Sequence, residues 1–356
     1  MNNLNLTLSI CFLCFLTLSC TKDNSPEPTT SDPVQSLLSS FGTSTALPVY
    51  QKLHDEAEIL QSLCGTLASN PTDANLQAAQ NQWINVREAW ELSECMLFGP
   101  VATEGLDPAI DTWPVNQVEI DSVLSSAASF TPSFMETLGD GLKGFHPIEY
   151  LLFGAARSRK ASELTSRNLE YLTALSVHLT SKTALMEDAW KPDGINYGSE
   201  ISKAGAGSAV YAKRQDGILE IATAISGIID EVGAGKIEEP FVTKDSLLEE
   251  SPFSQNSWTD FTHNIEGARN TYNGTIYGTN VPSLHHFVSK FNKDLDLRIN
   301  QKFDQILVSL NGFTHPFGRS IHLEPGKVQS VQTQLAELKE IMDEELVALI
   351  QLKVQD

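Results

Sequence analysis

His146 and Glu149 stand three residues apart in Gly144-Phe145-His146-Pro147-Ile148-Glu149-Tyr150-Leu151-Leu152-Phe153-Gly154, hard against an apolar run. On a helix that spacing puts imidazole and carboxylate on one face, where they can share a metal ion, a proton or a hydrogen bond. A second carboxylate is out of place. The apolar stripe Leu76, Ala79, Trp83, Val86, Trp90 continues at helical spacing onto Glu94 before Leu97. A charge on a buried stripe must find a partner or a metal, because an unpaired buried carboxylate is very costly.

Each feature has two readings. Pro147 favours the first helical position, which would make His146 the cap and Glu149 a first-turn residue bonded to backbone. Against capping stand histidine, a poor cap, and Gly144, which permits close approach. Glu94 could form a buried ion pair with Arg87, seven residues earlier, or join His146 and Glu149 as a metal ligand. An imidazole and carboxylate three apart on a bundle helix need further acidic ligands from facing helices, and Glu94 and Asp111 are the nearest. Trp90, Arg87 and Gly144 would support such a site. Its ion would be a divalent metal.

Other arrangements fare worse. The chain has no His-Glu-x-x-His, no Gly-x-Ser-x-Gly and no Cys-x-x-Cys after its first twenty residues. The loop Gly205-Ala206-Gly207-Ser208 lacks the Gly-Lys-Ser/Thr ending of a phosphate cradle and reads as a turn. His285 and His286 are adjacent and point about 100° apart on a helix.

The elements that must hold these residues are helices. Pro48 opens one whose stripe is Val49, Leu53, Ala57, Leu60, Cys64 and Leu67, and Asn70-Pro71-Thr72-Asp73 separates it from the Trp83 helix. Residues 99–114 form a long acidic connection through Asp107 and Asp111. Short helices near 117–125 and 132–138 follow. Beyond Gly154 come longer helices over 164–190, then around Ile218–Ile221–Ile225–Ile228, Trp258–Tyr272, 283–311 and 327–353, with a break at Gly233-Ala234-Gly235-Lys236. No alternating run of β-branched residues occurs, so the fold expected is all-α, two packed helical-bundle domains over 46–157 and 158–353. Glu94 and Glu149 each open a Glu-x-x-Leu-Phe-Gly segment, which suggests helices ending at similar depth.

The 45 acidic and 24 basic residues give a formal charge of −21, which argues against nucleic-acid binding. Residues 10–18 are a short apolar run ending at Leu18-Ser19-Cys20, followed at once by polar chain. This reads as a signal peptide over 1–19, with Cys20 lipidated and 20–45 a flexible tether containing a short helix near 34–41. An ordinary secretory signal is the alternative. Cys64 and Cys95 would lie roughly 25 Å apart along a helical hairpin, too far for a disulfide, and are expected as buried free thiols.

Taken together, Gly144-x-His146-x-x-Glu149, Trp83-x-x-x-Arg87-x-x-Trp90-x-x-x-Glu94 with Leu97-Phe98-Gly99-Pro100, Ile110-Asp111-Thr112-Trp113-Pro114 and residues 253–274 resemble the imelysin-like family, also classed as the M75 peptidases. The resemblance spans roughly residues 45–350. It implies a bacterial envelope protein of two helical bundles with a site near their interface, linked to iron acquisition. The implied partners are a metal ion or iron-bearing ligand, a membrane reached through the lipid anchor (the outer membrane or cell surface), and envelope uptake proteins. The family's alternative label implies a metallopeptidase, with Glu149 catalytic.

Overall fold

The computed structural model describes residues 32–154 and 158–355. Its elements are helices, apart from the paired two-residue strands Thr275–Ile276 and Thr279–Asn280. The all-α expectation therefore holds, and residues from Asp32 onward form one compact unit. Cys20 and the rest of residues 1–31 lie outside the described residues.

The apolar stripes decide which faces turn inward. Val49, Leu53, Ala57, Leu60, Cys64 and Leu67 are all buried on the Leu47–Ser69 helix. That helix packs against Asp73–Glu91 and Ser166–Trp190, and Phe145–Phe153 rests on both of these. Thr72 caps Asp73–Glu91 by accepting from the Asn75 amide, and Thr165 with Asn168 forms a reciprocal cap on Ser166–Trp190. A second group contains Arg214–Asp230, Ser257–Asn273, Lys293–Leu310 and Pro325–Glu340. The groups meet where Ser257–Asn273 packs on Asp73–Glu91 and where the short turn Glu94–Met96 meets Arg214–Asp230.

Several local features differ from the sequence expectation. The helix expected inside the tether is Pro33–Ser40, capped by Asp32, and it runs into a π-helical turn, Phe41–Ala46. Val34, Leu37, Leu38 and Phe41 are buried, so this stretch is packed rather than loose. The glycine-rich break at 233–236 is a π-helical turn, Glu231–Ile237, continuing Arg214–Asp230. The 283–311 helix is interrupted at Asn292, whose side chain caps Lys293–Leu310 through the Leu295 amide. The last helix contains a π-helical turn at Ile341–Leu346. Cys64 and Cys95 are free and buried, as expected. The two Leu-Phe-Gly segments both end on glycines with positive φ, 63° at Gly99 and 59° at Gly154, a region that favours glycine.

Candidate functional site: a buried cluster of charge

The Asp73–Glu91 helix carries Arg87 and Glu91 one turn apart on its buried side. It ends at Glu91 with Leu92 as its cap, so Glu94 sits not on the stripe but in the turn Glu94–Met96. That shift breaks the expected Arg87–Glu94 pair. Arg87 instead forms ion pairs with Glu91 and Asp111 and lies 2.7 Å from Glu250 Oε1. Glu94 turns to Lys236, 2.8 Å away.

Two close backbone approaches assemble the rest. Gly144 has φ 79°, and a Cβ there would lie 1.9 Å from the Ile110 carbonyl oxygen. Only glycine lets the segment carrying Asp111 reach the start of the Phe145–Phe153 helix. Trp83 Nε1 donates to the Phe145 carbonyl at 3.1 Å, and Trp90 Nε1 donates to Asp111 Oδ2 at 2.6 Å. At the other side a Cβ on Gly267 would meet the Leu92 carbonyl at 2.5 Å. This brings Asn264 to donate to Glu91 Oε2 at 2.6 Å and Glu94 Oε2 at 2.5 Å.

Because the helix starts at Phe145 with Gly144 as its cap, Glu149 lies beyond the first turn and does not cap the backbone. Its Oε1 accepts from the backbone N–H and hydroxyl of Ser254, each at 2.7 Å. Its Oε2 has no hydrogen-bond partner and lies 3.8 Å from His146 Nδ1. His146 Nε2 is 3.0 Å from Asp111 Oδ1, yet neither ring nitrogen makes an aligned hydrogen bond. Arg87, Glu94, Asp111, His146 and Glu149 thus come together, with Trp90 and Gly144 positioning them.

None of these charged side chains is more than 5% exposed. Glu91, Glu94, Asp111, Glu149, Glu250 and Asp260 are six buried carboxylates facing two permanent cations, Arg87 and Lys236. Burial disfavours so much unpaired charge. It pushes Glu94 up, with the neighbouring Glu91 adding to the rise, and lifts Glu250 to about 7. For Asp111, burial also pushes upward, but Arg87 and His146 outweigh it and hold the carboxyl well below its usual range. Burial lowers His146, while the Asp111 and Glu149 carboxylates raise it further, to about 9. Trp113 is half-buried, with its ring centroid 6.1 Å from that of His146 and 5.7 Å from Lys236 Nζ.

Donor atoms of Asp111, His146 and Glu250 lie within 4.8 Å of one another, as do those of Glu91, Glu94 and Asp111. Sequence reasoning missed Glu91, Lys236, Glu250, Ser254, Asp260 and Asn264. Part of this was readable. Ser257, Asp260, Asn264, Gly267 and Thr271 form a buried polar and small stripe at helical spacing, the same sign that drew notice to Glu94. Lys236 and Glu250 carry no such signal, since one follows glycines and the other lies in an irregular segment.

The adjacent histidines His285 and His286 bond outside the cluster. His285 Nδ1 contacts Asp296 at 2.8 Å, and His286 Nδ1 bonds the Ser283 hydroxyl at 2.9 Å. The Gly205–Ser208 loop is a turn closed by the Ser208 hydroxyl on Glu200.

The fold and this cluster define an all-helical protein with an enclosed centre of carboxylates and one imidazole. The chain belongs to the imelysin family (peptidase M75), whose sequence model matches residues 46–342. It is 28% identical over 319 residues to iron-regulated protein A of Synechococcus elongatus, covering 88% of this chain and 86% of that one. In fold it is similar to a Parabacteroides distasonis protein described as an iron-regulated protein A precursor, with TM-score 0.80 and 22% identity over 93% of this chain and 97% of that chain. An imelysin-like protein of Psychrobacter arcticum gives TM-score 0.74 and 13% identity over 91% and 97%.

Proposed function

We propose that this imelysin-family protein is a lipid-anchored envelope protein that binds a metal ion, iron in its working setting, as an accessory of iron acquisition. The observation that carries the reading is the unmet demand inside the cluster. His146 Nδ1 and Nε2, Glu149 Oε2 and Glu250 Oε2 are buried without hydrogen-bond partners, beside a surplus of carboxylates over cations. Buried polar atoms are nearly always satisfied, and such exceptions call for an ion or a functional account.

Asp111, His146 and Glu250 would hold the ion, and Glu149 would orient the imidazole from its Nδ1 side, as carboxylates behind ligating histidines do. Glu94 assists from the Lys236 side rather than as a direct partner of His146. One imidazole among carboxylates suits iron, manganese or zinc, and an ion bound there would supply the positive charge the carboxylates lack. The relatives' description as iron-regulated supports iron among these. The run ending at Leu18-Ser19-Cys20 supports the anchor and an envelope location. A metallopeptidase would need an open coordination position reachable by a peptide. Asp111, His146 and Glu250 are at most 3% exposed, which favours holding over hydrolysis.

Metal content and affinity of the mature chain test the reading beside His146→Ala, Glu149→Ala and Glu250→Gln. One ion bound tightly by the parent and at least tenfold more weakly by His146→Ala is expected. Equal binding in all four proteins sinks the ligand assignment. Peptide hydrolysis that vanishes with chelator and with Glu149→Ala would replace binding by the peptidase. For the anchor, Cys20→Ser should move the protein from the membrane fraction to the soluble one.

A further inference from the structure

Lys236 is a lysine in the place of an ion. It is 1% exposed on the π-helical turn Glu231–Ile237. Its Nζ lies 2.8 Å from Glu94 Oε2 and 3.2 Å from both Glu91 Oε2 and Glu250 Oε1. Glu91 and Glu94, together with Asp111, present oxygens within 4.8 Å of one another, so the ammonium sits against a ready set of carboxylate donors. Two buried atoms on the residues around this set are unused. Asn264 donates to Glu91 and Glu94 through Nδ2 while its Oδ1 has no partner, and Glu250 Oε2 has none either. Asn264 and Glu250 are both 0% exposed. Asp111 belongs to this set and to the Asp111–His146–Glu250 set, so the two positions adjoin.

We propose that Glu91, Glu94 and Asp111 form a second cation position whose resident cation is the ammonium of Lys236. A hard divalent ion takes that position once the ammonium is gone. Lys236 thereby limits the centre to one metal ion, a limit that rests on the metal reading above, whereas the second position stands without it. The donors differ in kind. The Lys236 set is all oxygen, which suits manganese or magnesium, while the neighbouring set includes an imidazole, which suits iron or zinc as well. A tethered ammonium brings one positive charge and no coordination bonds, so it satisfies the carboxylates without binding a second metal. Removing it leaves buried carboxylates uncompensated, a large penalty that an arriving divalent ion cancels.

The test is the number of Mn2+ ions per mature chain after equilibrium dialysis, in the parent, Lys236→Met, Lys236→Gln, His146→Ala and the double variant His146→Ala/Lys236→Met. Each loss of Lys236 should add one bound ion to its parent, in the His146→Ala background as well. Parent chains without metal but Lys236→Met chains with one would uphold the second position and overturn the reading of the first. Unchanged counts on losing Lys236 overturn the second position alone. Failure to recover either single Lys236 variant folded with Mn2+ present throughout also overturns it, because the ion is held to replace the missing charge.

Discussion

Arg87 is the residue on which the cluster's charge balance turns. Its planar fork pairs with Glu91, Asp111 and Glu250, and its Nε lies 3.9 Å from Asp260. These partners come from four separate stretches of chain, so the guanidinium ties the meeting place of the helices together. Losing one member of a buried ionic network strands the others, at about 3–5 kcal/mol. Arg87→Met should therefore lower the unfolding free energy by that amount in denaturant titrations. Arg298→Met offers the contrast, since Arg298 and Glu345 form a two-point pair with both side chains 45% exposed. Its loss should fall within about 1 kcal/mol. Equal costs would mean that the buried pairs add nothing beyond a surface bridge. At this scale the sequence was half legible. Arg87 and Glu94 stood out because charge interrupted an apolar period. Their true partners did not, because the helix ends at Glu91 and the chain swings Glu94 toward Lys236 instead of Arg87. No local rule links Arg87 to Glu250, 163 residues away.

Among the elements, the Phe145–Phe153 helix matters most, and its position depends on Gly144. The glycine combines a positive φ with a backbone approach that any Cβ would block. Gly144→Ala should cost about 2–4 kcal/mol of stability through strain and displacement. It should also weaken metal binding, because it separates Asp111 from His146. Gly139→Ala is the matched control, with φ −60° and nothing within 4 Å of its new Cβ. That change should stay within about 1 kcal/mol and leave metal affinity unchanged. Full metal affinity in Gly144→Ala would show that the approach to Ile110 does not set the site. Periodicity found most helices because burial follows a 3.6-residue repeat. It failed where the backbone departs from that repeat, as in the π-helical turn Glu231–Ile237, whose glycines look like a stop yet deliver Lys236 to the interior.

Across the whole molecule two kinds of electrostatics act, and they should respond differently to added ions. The cluster's six carboxylates and two cations account for a small part of the formal charge of −21, and the exposed carboxylates repel one another through water. Raising NaCl from about 0.1 to about 1 M shortens the screening distance from about 10 to about 3 Å. The metal-free chain should thus gain thermal stability gradually and without saturation. The buried cluster is shielded from that salt, and only an ion that enters it can relieve its surplus carboxylates. Binding of such an ion stabilises the fold by about 2.7 kcal/mol at a hundred times its dissociation constant. For a chain of this size that is a rise in Tm of about 4 °C. Thermal unfolding of the parent and of His146→Ala, in NaCl and then in iron or Mn2+, separates the two effects. Salt should raise both proteins equally, whereas the saturable rise with metal should need at least tenfold more metal in His146→Ala than in the parent. A metal response that never saturates, or that is unchanged by the loss of His146, would place the ion on the acidic surface instead of among Asp111, His146 and Glu250.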